Sequence, residues 1–299
     1  MLAKIAGLDL RARMIVEGYY TGTHRSPYRG LSVEFADHRA YSQGDDLKHI
    51  DWRVFGRTNK FYIKEYEQET NLNLILLVDC SESMAYASES AALCKHDYAT
   101  SLAASLAYLA LQQRDSVGLV LFDEQLTRFI RSSNNPAHWK TLVHELAGQT
   151  GPHKTSIRAV LDDLAERLTR RALVVVISDL FDDREDICKG LLHLRFRRHD
   201  VVVFQVMDHA EISFPFRGPT LFEGLEQAGQ LFTEPRSLRN RYREEVEDFS
   251  THMRVACRKM NIDFARFDTS EQLDSAIGAY LATRAASIRR RSARVRGGG

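Results

Sequence analysis

Leu74-Ile75-Leu76-Leu77-Val78-Asp79-Cys80-Ser81-Glu82-Ser83 decides the reading of this chain. Five apolar residues form a buried-type strand, and the strand delivers one carboxylate and two hydroxyls to its carboxyl end. A long alanine-rich segment follows. Hard divalent cations take oxygen ligands at about 2.0–2.1 Å, keep several waters and need only one or two protein carboxylates. An Asp-x-Ser-x-Ser loop supplies such oxygens.

Two later segments carry matching chemistry. Gly151-Pro152-His153-Lys154-Thr155-Ser156 is rich in turn formers and opens a helical pattern from Ile157, which places the Thr155 hydroxyl on a loop. Leu173-Val174-Val175-Val176-Ile177-Ser178-Asp179 is a second β-branched run ending in an acid. Ser and Asp also cap helices and turns through local hydrogen bonds. Capping accounts for neither Asp179 nor the order of the three loops.

As a set, Asp79, Ser81, Ser83, Thr155 and Asp179 resemble the metal-ion-dependent adhesion site of von Willebrand factor A domains. The resemblance implies Mg2+, with Mn2+ or Ca2+ as alternatives, and an open coordination position for a partner's acidic side chain.

The surrounding pattern alternates strand and helix. After the first strand comes a helix expected over Ser88–Gln113, then strands at Val117–Phe122 and Thr127–Ile130 joined by a tight hairpin at Asp123-Glu124-Gln125. Helices are expected at Ala137–Ala147, Ile157–Thr169 and Arg184–Arg195, strands at Leu173–Asp179, Val201–Val206 and Ile262–Phe267, and a last helix over Ser270–Arg284. This predicts an α/β fold of von Willebrand factor A-like, Rossmann type: a mostly parallel sheet with helices on both faces. In the strand order 3-2-1-4-5-6, the first and fourth strands are neighbours, and ligands bind outside their carboxyl ends. That order would bring Asp79 and Asp179 to one ion.

An insertion at about 208–260 holds short β-like pieces near Pro219–Phe222 and Gln230–Thr233. A long helix then runs over Arg236–Met260, with Leu238, Tyr242, Val246, Phe249, Met253, Cys257 and Met260 on one stripe.

At 299 residues, 44% hydrophobic and 27% charged, the chain has the composition of an ordinary globular protein. Charges at Lys4, Asp9, Arg11, Arg13 and Glu17 interrupt any signal-like apolar core, and no run approaches a membrane span, so the expected location is cytoplasmic. Four cysteines without CxxC spacing read as reduced thiols, and Cys80 as a spacer, since a thiolate suits magnesium poorly. The eleven histidines form no metal-binding spacing. Net charge is +1, but residues 287–299 hold five arginines and no acid, leaving −4 on the rest. That stretch reads as a basic flexible tail able to make peripheral contact with phosphates or an anionic membrane surface.

Residues 21–69 have another texture: Arg29-Gly30, Glu34, Asp46, then Asp51-Trp52-Arg53. Placed before such a strand, and followed by Asp208 to Phe216, Leu238-Arg239-Asn240-Arg241-Tyr242, Phe267-Asp268-Thr269 and Tyr280 to Arg284, they resemble the bacterial domain-of-unknown-function 58 family over nearly the whole chain. The expected organisation is an N-terminal family-specific segment, 1–70, packed on the core, a von Willebrand factor A-like domain, 71–286, and the tail. Arg29, Gly30, Glu34, Asp46, Asp51, Trp52 and Arg53 form a family motif of underived role. The resemblance implies a partner of the MoxR-type AAA+ ATPase class and an adaptor function in assembling or remodelling client proteins, with no catalysis. It also implies that the metal site is degenerate in many members, whereas here all five ligand types are present.

Two rival readings fit the residues less well. A magnesium-dependent phosphohydrolase also places an Asp at a strand end, but needs a second Asp two residues on, where this chain has Ser81. Nucleic-acid binding through Arg25, Arg29, Arg39, Arg53 and Arg57 with Tyr28, Tyr41 and Trp52 is weakened by the interleaved Glu34, Asp37, Asp45, Asp46 and Asp51.

Overall fold

The computed structural model describes residues 2–22, 38–40, 52–58, 61–64, 72–89, 91–148, 150–151, 154–223 and 229–296. The chain divides into two compact units, one of residues 1–22 with 72–299 and one of residues 23–71. The larger is built on strands β3 (Asn73–Asp79), β4 (Ser116–Phe122), β5 (Leu126–Ser133), β6 (Leu173–Ser178), β7 (Asp200–Met207) and β10 (Asp263–Asp268). They lie in the order β10-β7-β6-β3-β4-β5. All neighbours are parallel except β4 and β5, which form the expected hairpin around a bend at residues 123–125. With β3 counted as the first strand of this sheet, this is the 3-2-1-4-5-6 order. The switch of winding direction falls between β3 and β6.

Both faces are covered, which is why the inner strands β3, β4, β6 and β7 read as nearly unbroken apolar runs. Leu74, Leu76 and Val78 point into a core with helices α1 (Leu2–Gly22), α3 (Lys95–Gln112), α4 (His138–Leu146) and α9 (Leu273–Arg296). Ile75 and Leu77 point the other way, to α5 (Ile157–Arg167), α6 (Arg184–Phe196) and α8 (Pro235–Lys259). The close pass of α6 over α5 requires Gly190, where a Cβ would sit 2.9 Å from Leu161 Cβ.

Three expectations are corrected. The helix expected from Ser88 starts at Lys95: the Cys94 thiol accepts from Asp97 N–H, Lys95 N–H donates to Tyr86 O at 3.0 Å, and residues 91–94 lead into the helix as a loop. Residues 1–70 are not one segment. Helix α1 belongs to the larger unit, burying Leu8, Ala12, Ile15 and Val16. Finally, the stretch expected to be a flexible tail continues α9 to Arg296, as its run of Ala and Arg without Gly or Pro allows.

The smaller unit contains β1 (His38–Ala40) paired antiparallel with β2 (Tyr62–Lys64), and α2 (Trp52–Thr58). The insertion holds α7 (His209–Ser213), the hairpin of β8 (Thr220–Glu223) and β9 (Gln230–Thr233), and α8. Phe214 packs against Tyr242 at 4.6 Å and Phe216 at 5.2 Å between ring centroids. Arg239 fastens that turn by donating to Phe214 O at 3.0 Å and Phe216 O at 2.6 Å.

Candidate functional site

The carboxyl ends of β3 and β6 meet at the switch point. Val78 pairs with Ile177, so the next residue of each strand, Asp79 and Ser178, lie side by side, and Asp179 follows one step on. Asp79 is fully buried. Its Oδ1 accepts from Ser81 N–H at 2.9 Å and its Oδ2 from the Ser178 hydroxyl at 2.5 Å. The Ser81 and Ser83 hydroxyls, both buried, are 3.1 Å apart. A short 3-10 turn over Glu82–Ala85 folds Ser83 back toward Ser81.

Thr155 is half-buried on a loop held from both ends by the neighbouring strand termini. Gly151 N–H donates to Cys80 O at 2.7 Å, Ser156 N–H to Asp123 O at 3.3 Å, and Ile157 N–H to Asp182 Oδ2 at 2.8 Å. The loops after β3, β4 and β6 thus each hold part of the Thr155 segment.

Asp179 Oδ1 accepts from Phe181 N–H at 3.1 Å. Its Oδ2 lies 2.8 Å from the Lys95 ammonium, which also donates to Glu211 Oε1 at 2.7 Å. Lys95 is 2% exposed. The two acids hold its ammonium in the charged state against the cost of burial. The second Glu211 oxygen accepts from Asp208 N–H in a capping box at the start of α7. Behind the site, Gln205 donates to Asp179 O and accepts from Ser250 of α8.

Burial, and then the negative charge of Asp179, push the Asp79 carboxyl well above the ordinary carboxylate range, against the opposing pull of Ser178 and Ser81. A dication would relieve that repulsion, and the donor set of two buried carboxylates and hydroxyls is of the hard-oxygen kind. The residues therefore fit a magnesium-like ion, with Asp79, Ser81, Ser83, Thr155 and Asp179 as those that would hold it, directly or through water. Among the described residues no group of three or more His, Cys, Asp or Glu side chains is placed to hold a metal, so this candidate rests on its hydroxyls as much as its acids. Cys80 is not a competing ligand: burial pushes its thiol up to about 12, and its sulfur sits 3.8 Å from His96 Nε2.

Beside Asp179 opens a groove of about 500 Å3, walled by Leu180, Phe181, Met207, Tyr242, Val246 and Phe249. The long-helix stripe therefore splits: Met253 and Cys257 are buried, whereas Tyr242, Val246 and Phe249 line this groove.

Sequence reasoning missed Ser178, Lys95 and Glu211. Ser178 was readable as the residue in register with Asp79, but a lysine at a helix start and a glutamate in an insertion carry no local signal of convergence. Of the family motif, Trp52 is exposed at the start of α2, and Arg53 follows it in that helix. Arg29, Gly30, Glu34, Asp46 and Asp51 lie outside the described residues. The later motif pieces serve the structure. Asp208 accepts from Ser88 N–H and from the Thr269 hydroxyl, tying three loops at this end of the sheet.

A family described as "Protein of unknown function DUF58" matches residues 37–252. Uncharacterized proteins of Mycobacterium bovis and Mycobacterium tuberculosis are 24% identical over 234 residues, covering 76% of this chain and 71% of each relative. Among solved structures, BatB of Bacteroides thetaiotaomicron is similar at a TM-score of 0.48 and 15% identity, covering 72% of this chain and 99% of that one. The VWA domain of SpRpn10 is similar at a TM-score of 0.41 and 9% identity, covering 69% and 93%.

Proposed function

The chain belongs to the DUF58 family, and from that premise and the cluster at the strand ends we propose that it is a non-enzymatic module for metal-dependent protein interaction. The observation that carries the reading is the pair of buried, mutually repelling acids, Asp79 and Asp179, set among hydroxyls at the switch point. A magnesium-class ion held there would supply a Lewis-acid site for a carboxylate of the partner. Asp79 and Asp179 offset its charge. Ser81, Ser83 and Thr155 orient it, and the Thr155 loop is kept in place by Cys80 O and Asp123 O.

Catalysis is disfavoured by the same residues. A phosphohydrolase of this kind needs a second Asp two residues after its nucleophile as general acid, and Ser81 stands there. The partner class we propose, on the family resemblance, is a MoxR-type AAA+ ATPase together with its client, engaged as an adaptor engages a remodelling machine. No described helix is long and apolar enough to cross a membrane.

The test is a tagged pull-down with Mg2+ or EDTA, comparing wild type with Asp79→Ala. Retention of an AAA+ ATPase or client only with Mg2+ and intact Asp79 is the expected result. Equal retention under all conditions would move the binding surface elsewhere.

A further inference from the structure

Lys95 is a buried charged group that this reading does not use. It is the first residue of α3, so its ammonium sits at the helix end where the backbone dipole disfavours a cation. It is also removed from water, at 2% exposure. Two carboxylates compensate, and they differ in kind. Glu211 is a quarter exposed and fixed through its other oxygen in the capping box with Asp208. Asp179 is a candidate metal ligand, fixed through its other oxygen by Phe181 N–H. The ammonium lies 2.7 Å from the first and 2.8 Å from the second, with the Tyr86 ring 5.8 Å away.

We propose, resting on the metal-site reading, that Lys95 is an internal counter-cation that competes with the divalent ion for Asp179 and so sets how tightly the site holds metal. Without metal, the ammonium is shared between the two acids and keeps Asp179 from standing as an uncompensated buried charge. With metal, the Asp179 oxygen is drawn to the dication and the ammonium is left to Glu211. Glu211 therefore serves as the resting place that makes the exchange possible. The charges on the two side chains then act in opposite directions. Removing the lysine charge takes away a repulsion close to the ion. Removing the glutamate charge confines the ammonium to Asp179 and strips one negative charge from the surroundings.

The experiment titrates the metal-stripped full chain with Mn2+, reads free ion from its paramagnetic resonance signal, and repeats the titration with Mg2+ as competitor. Lys95→Met is expected to bind at least about tenfold tighter than wild type, and Glu211→Gln several-fold weaker, because one unit charge is changed at short range in a low-dielectric site. Cooperative urea unfolding checks that Lys95→Met is folded, and Glu211→Gln decides alone if it is not. Wild-type binding with a folded Lys95→Met no tighter, or with Glu211→Gln no weaker, overturns the role of Lys95 and leaves the metal site standing. No binding by wild type or either variant overturns the metal site, and this role with it. Binding by Lys95→Met where wild type shows none is the strongest form of the expected result.

Discussion

Asp79→Asn should stabilise the metal-free protein while abolishing its response to Mg2+, an unusual pair of signs for one substitution. The carboxyl of Asp79 is pushed up to about 7 from the ordinary 3.8, first by burial and then by Asp179. The folded state therefore binds this proton more tightly than the unfolded chain does. Its contribution is fully present below the ordinary value and is lost as pH rises through the folded value. At about 1.4 kcal/mol for each pH unit of displacement, the ionised acid costs the metal-free fold at most about 4 kcal/mol at mildly alkaline pH. The amide removes that charge and keeps the same shape. Its oxygen can still accept from Ser81 N–H. Ser178 must turn from donor to acceptor while also accepting from Leu180 N–H, a rearrangement costing about 1 kcal/mol. The net expectation in EDTA at a pH of about 8 is a gain of about 2–3 kcal/mol over wild type, falling through zero near a pH of about 4 to a loss of up to about 1 kcal/mol below it. Saturating Mg2+ should favour wild type, by about 2.7 kcal/mol at a hundredfold excess over Kd, and leave the variant unchanged. Urea unfolding at two pH values, with and without Mg2+, measures all four quantities. A variant less stable than wild type in EDTA at alkaline pH, or equal Mg2+ gains in both proteins, would refute the reasoning.

The other predictions concern the frame that holds the site. Gly190→Ala should cost about 1–3 kcal/mol in urea unfolding, because the new methyl meets Leu161 Cβ and Cδ1 at 2.9 Å and α5 must move off α6; an unchanged midpoint would show that the two helices are free to separate. Arg239→Lys keeps the charge but reaches only one of the two carbonyls of Phe214 and Phe216, with an expected loss of about 1–2 kcal/mol and faster amide exchange in the turn. His199 is buried, accepts from Ala172 N–H through Nδ1, and has its imidazole held below the ordinary 6.5, first by burial and then by Arg197. Its stability contribution is complete above that value and is lost as pH falls below it. His199→Asn, which retains an acceptor, should flatten the acid limb of a melting-temperature profile, and an unaltered limb would assign the slope to other groups.

The inner strands were legible because burial on both faces leaves a short unbroken apolar run, and β-branched residues with flanking polar turns mark it as a strand. Leu74 to Val78 and Leu173 to Ile177 are of this kind. Helix α1 was not read: Ile5, Leu8, Ala12 and Ile15 stand at helical spacing, but the charges between them obscured its packing face. The start of α3 was not readable. Residues 88–94 carry no Pro or Gly to break a helix, and the boundary is set by a thiol cap and by the bond from Lys95 N–H to Tyr86 O across the loop.

The oxygen donors of the candidate site stood out because strand-end acids and hydroxyls recur at a topological switch point. The cation among them could not stand out. A lysine beside an alanine-rich stretch reads as a solvated helix side chain, and a glutamate after Asp208 reads as half of a capping box. Only when β6 and the insertion converge on the start of α3 do Lys95, Asp179 and Glu211 become one system. This changes the charge balance on which a functional reading must rest. Two acids and a dication would form a neutral site by themselves. Adding Lys95 and Glu211 leaves the sum neutral but inserts a buried positive charge between Asp179 and the insertion. Any partner carboxylate arriving at the ion would then meet a site whose second acid is shared with the protein's own cation. If the proposed exchange holds, the insertion that supplies Glu211 would belong to the metal chemistry as well as to the groove beside it, and substitutions in α7 should alter metal affinity without touching the ion.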